Sequence, residues 1–302
     1  MPAFGKLVRF KTASGQTFYG EAKHLPAIDH DALIGAEVPV FNNDDEPWSE
    51  NFRLSGSTEK IAEVHTPQAA SVLAPLRAVP IFLCIGLNYK QHAEEAGMQV
   101  GDYPQTFYKP AASYDGNVAD ALAGPFENIP VHPECQWMDY EVELCVVIGK
   151  DCKNIGDTED VDQYILGYTV GNDVSARWWQ MPERSSGQPA AAKSFDKFAP
   201  IGPVITSTDI ITDPKKLKMR SIVNGEQRQI TQTDDLIFDI PAIIRHFSRG
   251  MTLRKGTVIM TGTPSGVAFF MKPQAWLKDG DVVEMELEHV GTMRNKFVFE
   301  KF

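Results

Sequence analysis

Two glutamates one residue apart, Glu141 and Glu143, lead into the apolar run Leu144-Cys145-Val146-Val147-Ile148. Alternate side chains of a strand share a face. The two carboxylates therefore project together, while Val142 and Leu144 face the other way. Like charges beside a buried run repel one another, and a bound cation or a shared proton makes them tolerable. Hard cations such as Mg2+ take oxygen ligands of this kind. The other reading is a solvated strand face, and Asp139, on the same face, is expected to be solvent-exposed.

A second cluster runs through Gly171-Asn172-Asp173-Val174-Ser175-Ala176-Arg177-Trp178-Trp179-Gln180. Asp173 could complete a three-carboxylate site, or it could cap a helix N-terminus. The guanidinium of Arg177 could grip a carboxylate through two parallel hydrogen bonds. His92 and Glu95 are three apart, so on a helix they share a face. A carboxylate that orients an imidazole raises its basicity, as a general base requires, although such pairs also occur solvated on helix surfaces. Lys193 follows the small and flexible stretch 185–189 and could enter a site or stay at the surface. The segment Thr261-Gly262-Thr263-Pro264-Ser265-Gly266-Val267 could offer N–H groups or the Thr263 hydroxyl to an anion, or be a plain turn.

These residues need elements to hold them. Residues 6–12 and 17–22 read as a hairpin around the turn Ala13-Ser14-Gly15-Gln16. Lys6, Arg9 and Lys11 with no acid among the first 15 residues also suit a transit peptide, but the hairpin is the stronger reading. The polar stretch 42–50 is loop-like, and Pro67 and Pro75 bracket an apolar segment. Strands are expected at 81–85, 141–148, 166–171, 203–206, 219–223, 257–261 and 281–289. Helices are expected at 89–96, closed by Gly97, and at 241–248, with Gly250 beyond its end. Strands outnumber helices and do not alternate with them, which points to a β-rich α+β fold rather than a doubly wound sheet. The division expected is a small N-terminal domain at 1–75 and a catalytic domain at 76–302.

The chain has 302 residues, a formal charge of −11 and a pI near 5.1, so nucleic acid is not an expected partner. No stretch approaches 18 apolar residues, so no membrane span is expected. Cys84, Cys135, Cys145 and Cys152 form no Cys-x-x-Cys and no zinc spacing, and a reduced, cytoplasmic setting is the expectation. Cys145, inside the apolar run, is expected in the core. Dinucleotide and Walker loops, the nucleophile-elbow serine and the H-E-x-x-H zinc motif are absent from the sequence.

Taken in order, the segments Gly86-Leu87-Asn88-Tyr89…His92, Asp139-Tyr140-Glu141-Val142-Glu143, Gly167-Tyr168…Asn172-Asp173-Val174-Ser175-Ala176-Arg177, Lys193-Ser194-Phe195-Asp196, Thr261-Gly262-Thr263-Pro264-Ser265-Gly266-Val267 and Gly280-Asp281 resemble the fumarylacetoacetate hydrolase family over roughly residues 81–301. The resemblance implies a mixed β-roll, usually dimeric. It implies Glu141, Glu143 and Asp173 as ligands of Mg2+ or Mn2+, His92 as general base with Glu95 as its partner, and Lys193 as stabiliser of an enolate. Arg177, Gln180 and Thr263 would hold the substrate. Where the large fumarylacetoacetases carry an aspartate ligand, this sequence has Cys84 and Ile85, which favours the shorter branch. The implied activity is hydrolysis of the C–C bond of a small 2,4-dioxo acid of the acylpyruvate type. The alternative is oxaloacetate decarboxylation or tautomerisation, or a related isomerase–decarboxylase reaction, on a small 2-oxo acid.

Overall fold

The computed structural model describes residues 2–42, 45–63, 71–110 and 121–302. Asn43, Asp44 and Pro67, parts of the expected loop and bracket, lie outside them.

Two large sheets and a two-stranded ribbon make up the β structure of the described residues. The apolar segments Val142–Ile148, Ile165–Asn172 and Ala199–Thr206 are buried along their whole length and pair antiparallel in that order. They form the centre of a 12-stranded mixed sheet. Strand Val258–Met260 adds antiparallel to Val142–Ile148, and Phe82–Gly86 adds parallel to Val258–Met260. Gln105–Lys109 forms the edge beyond it. On the other side, Lys6–Lys11 pairs with Ala199–Thr206 and with Thr17–Glu21, so the expected hairpin forms and is stitched into the large sheet.

A five-stranded sheet holds Glu226–Gln232, Lys218–Val223, Val282–Leu287, Gly291–Phe299 and Ile129–Val131. The alternation of Val142–Ile148 explains how the two sheets meet. Val142, Leu144, Val146 and Ile148 enter one apolar cluster with Met219, Met285, Leu287, Met293 and Phe297 of the smaller sheet. Cys145 and Val147 face the opposite way, into a second cluster with Leu7, Phe82, Cys84, Phe107 and Met260. All four cysteines are free and buried, Cys145 in the core as expected.

Helix Lys90–Ala96 ends at Gly97, and helix Ile240–Ser248 begins on an Asp239 side chain that accepts the Ala242 N–H. The fold is the β-rich α+β architecture read from the sequence. No helix among the described residues is long and apolar enough to cross a membrane.

Candidate active site and metal centre

Three carboxylates gather where strand Val142–Ile148 begins and strand Ile165–Asn172 ends. Glu143 lies opposite Gly171 in the register. Glu141, one residue before its strand, donates its N–H to Asn172 Oδ1 at 3.0 Å, and the Asp173 N–H donates to Glu141 O at 2.9 Å. Carboxylate oxygens of Glu141, Glu143 and Asp173 lie within 4.8 Å of one another, and all three side chains are buried. The solvated-face and helix-cap readings are therefore set aside.

Cations surround two of the three. Lys193, at the end of helix Ala190–Lys193, reaches Glu141 Oε2 at 2.9 Å and Asp173 Oδ2 at 2.6 Å. Arg177 pairs with Glu141 through Nη2. Lys109 pairs with Asp173 Oδ1 at 2.6 Å and donates to the carbonyls of Val174, Lys193 and Phe198. Glu143 has no Lys or Arg partner among the described residues; Gly262 N–H donates to its Oε2 at 2.6 Å. Gly262 has φ +105, and a Cβ there would come within 2.8 Å of Asn88 Cβ, so only glycine turns this amide toward the carboxylate.

The electrostatics follow. For Glu141, burial opposes ionisation, but Lys193 and Arg177 outweigh it and bring the pKa down to about 2. Burial, then Asp173 and Glu141, push Glu143 well above the usual carboxylate range. For Lys193, burial works against the charge, yet Asp173 and Glu141 prevail and raise its pKa. With Asp139 included, four carboxylates meet three cations, which leaves Glu143 the uncompensated member. An all-oxygen donor set with surplus negative charge suits a hard divalent cation, so Glu141, Glu143 and Asp173 could hold one.

Asp139 corrects an expectation. It is fully buried, not solvent-exposed. Its carboxylate accepts from Ala268 N–H at 2.7 Å, Phe269 N–H at 3.1 Å, its neighbour Tyr140 N–H at 2.9 Å and Arg177 Nε at 2.9 Å. Asp139 does share Arg177 with Glu141, as alternation places it, but that guanidinium and the chain at 268–269 cover it.

His92 lies in the first turn of helix Lys90–Ala96 and is 8% exposed. Its Nδ1 meets Glu95 Oε2 at 3.0 Å, and Glu95 Oε1 accepts the Gly266 N–H at 3.0 Å. Gly266 has φ +101, and a Cβ there would fall 2.1 Å from Arg228 O. His92, Glu141, Arg177, Gln180, Lys193 and Thr263 all line one cavity of about 370 Å³. Arg177 arrives with its donors engaged, since Nη1 also donates to Gln180 Oε1 at 2.9 Å. Thr263 donates its hydroxyl to Val142 O at 3.0 Å and accepts from Gln229 Nε2 at 2.8 Å. The 261–267 segment does offer N–H groups to anions, and both anions it meets through Gly262 and Gly266 are the protein's own.

Sequence reasoning missed Lys109 and Gln229. Gln229 is buried and saturated: Oε1 accepts from Val142 N–H and Ser221, and Nε2 donates to Thr263 and Pro264 O. The available signal for Lys109 was its place two residues after Phe107 on a five-residue strand, which puts a lysine on an inward face.

Comparisons with known proteins find the following likenesses. A family model described as fumarylacetoacetate (FAA) hydrolase C-terminal matches residues 82–298. A fumarylacetoacetate hydrolase domain-containing protein 2 homolog of Dictyostelium discoideum is 43% identical over 233 residues, 74% of this chain and 73% of that protein. The mitochondrial oxaloacetate tautomerase Fahd2a of Rattus norvegicus is 41% identical over 226 residues, 75% of this chain and 69% of that protein. The crystal structure of 2-hydroxyhepta-2,4-diene-1,7-dioate isomerase from Mycobacterium marinum superposes with a TM-score of 0.77 at 30% identity, covering 99% of this chain and 100% of that one.

Proposed function

The chain belongs to the fumarylacetoacetate hydrolase family, and on that premise we propose that it is a divalent-metal-dependent tautomerase, interconverting the keto and enol forms of a small 2-oxo acid. The observation that carries this reading is one cavity lined by His92, which Glu95 orients, and by Lys193 and Glu141, a member of the three-carboxylate cluster. Hydrolysis stood first on the sequence. The order reverses because a curated relative is named as an oxaloacetate tautomerase and a structural neighbour as an isomerase.

Glu141, Glu143 and Asp173 would hold Mg2+ or Mn2+, which when bound supplies positive charge where the 2-oxo oxygen becomes negative. His92, with Nδ1 held by Glu95, leaves Nε2 to take a proton from C3. The C3–H electron pair becomes the C2=C3 bond, and the carbonyl pair moves onto oxygen. Lys193 stays an ammonium beside this charge and stabilises it where it forms. Protonation on oxygen gives the enol, and return of the proton to C3 restores the ketone. Gln180 and Thr263 line the same cavity and would orient the acid, and Arg177 would set the charge balance around Glu141.

Enol-form oxaloacetate, freshly dissolved, is the test. Its ultraviolet absorbance should fall faster with protein and Mg2+ or Mn2+ than with protein and EDTA, without matching pyruvate release. Decay at the buffer rate with metal present would overturn the reading. Hydrolysis of a 2,4-dioxo acid is the second reading, favoured by the same His92–Glu95 pair, which could activate a water. Faster pyruvate release from acetylpyruvate than enol decay of oxaloacetate would put it first.

A further inference from the structure

Glu95 is the joint on which the orientation of His92 turns. Among the described residues it carries the one hydrogen bond that leaves residues 92–97 for a distant part of the chain, from the Gly266 N–H to its Oε1 at 3.0 Å. Its other oxygen meets His92 Nδ1 at 3.0 Å. Whatever fixes Gly266 therefore helps to fix the imidazole.

Gly266 needs fixing, because glycine has the freest backbone of any residue. Two contacts set its φ of +101. The first is steric: Arg228 O stands so close that a Cβ would fall 2.1 Å from it. The second is a hydrogen bond, donated by the Tyr140 hydroxyl to Gly266 O at 3.0 Å. The N–H and C=O of one residue belong to different peptide planes joined at its Cα. Tyr140 thus holds the plane that follows Gly266, and Glu95 uses the plane that precedes it.

Tyr140 is placed to do this. It is fully buried, and its ring belongs to the same apolar cluster as Val142 and Leu144. Its neighbour in the chain is Glu141, a member of the carboxylate triad. It does not line the cavity, so it bears on the reaction only through other groups. A buried phenol needs a hydrogen-bond partner in any core, and the partner here is the residue that holds Glu95. Met271 Sδ, a weak acceptor, lies farther off at 3.7 Å. None of these contacts uses a carboxylate oxygen of the triad.

We infer that Tyr140 is a positioning residue for the base: through Gly266 and Glu95 it sets the direction of the His92 imidazole relative to the carboxylate cluster. The inference rests on the tautomerase reading, in which His92 transfers the C3 proton.

The experiment removes the hydroxyl with Tyr140→Phe and follows the Mg2+-loaded protein in two ways. In enol-to-keto conversion of oxaloacetate, kcat should fall about tenfold, less than the roughly 10²-fold that a 1 Å misplacement can cost, with KM unchanged. In a Glu95→Ala background the same substitution should cost less than about twofold, because the link is already cut. Unchanged kcat, a change in KM alone, or a full loss repeated in the Glu95→Ala background overturns the inference. The second measurement needs no turnover. Tyr140→Phe should move the 1H–15N NMR signals of the His92 ring, assigned by their absence in His92→Ala, and leave those of the other histidines in place. If oxaloacetate is not converted at all, the tautomerase reading has failed, and the ring signals decide the positioning role alone. Unmoved His92 signals, or a shift shared by every histidine, overturn it.

Discussion

Lys109 and Asp173 form an ion pair at 2.6 Å in which neither side chain has any solvent exposure. Lys109 also donates to three backbone carbonyls, one of them that of Lys193. One cation thus fixes a carboxylate of the triad and the main chain that carries the neighbouring ammonium. Lys109→Met removes the charge but keeps most of the volume. It should destabilise the protein by about 3–5 kcal/mol, the usual cost of stranding a buried charge. Chemical denaturation checks this, and a loss below about 1 kcal/mol would show that the pair does not bear on the fold.

Metal dependence is the second expectation. Treatment with EDTA should abolish turnover, and Mg2+ or Mn2+ should restore it. Glu143→Gln should lose metal-induced thermal stabilisation while still folding, because an amide oxygen can accept the Gly262 N–H in place of the carboxylate. Unchanged turnover in stringently metal-free protein contradicts the assignment.

Glu143 also sets a pH dependence in the metal-free protein. Burial with Asp173 and Glu141 nearby raises its folded pKa well above the unfolded value. A group of this sign favours the folded state below its unfolded pKa, and that contribution is lost as pH rises through the folded pKa. The Tm in EDTA should therefore fall with rising pH above the ordinary carboxylate range, and Glu143→Gln should flatten that slope. Parallel profiles for the two proteins would refute the cause.

His92→Ala should reduce kcat by roughly 10²–10⁴-fold, the range for loss of a general base, with KM little changed. Glu95→Gln keeps a hydrogen-bond partner for His92 but not its charge, so its loss should be smaller. If His92→Ala retains full kcat, the proton is taken by another group, and Glu95 is the next to examine.

Asp139→Ala should act through Arg177 and the chain at 268–269. Removing the carboxylate leaves Arg177 Nε and the N–H groups of Ala268 and Phe269 without their acceptor. A stability loss of about 2–4 kcal/mol is expected from stranded buried donors, together with a raised KM as the Phe269 wall loosens. An unaltered KM would separate Asp139 from the cavity.

Strands Val142–Ile148 and Ile165–Asn172 were legible because each is a largely apolar run, and a run of that kind has one stable place, inside a covered sheet; of Ala199–Thr206 only 203–206 was expected. Glu141, Glu143 and Asp173 were legible because two acids abutting such a run demand a partner. Asp139 was misjudged because the groups that cover it, Arg177 and the chain at 268–269, lie far off in the sequence. Gln229 was invisible for a similar reason: its closest side-chain partner, Thr263, lies far off in the chain, and a lone glutamine carries no local mark of burial. Lys109 shares a strand face with Phe107, but its partner Asp173 is equally distant in the chain. The reach of Arg177 toward Asp139 and Glu141 was likewise hidden, since the sequence shows the guanidinium but not the acids that occupy it.

Strand Val142–Ile148 packs its even-numbered residues between the two sheets and opens, on its odd-numbered face, with a carboxylate of the candidate site. One stretch of chain therefore encodes foundation and function in interleaved letters. A single-residue insertion or deletion would exchange the two sets at once, placing acids in the interlayer and valines in the site. Descendants of this gene have no gradual route to a new arrangement of these acids. Divergence in chemistry is written more easily at Met98, which lines the cavity, is 55% exposed and lies outside helix and strand.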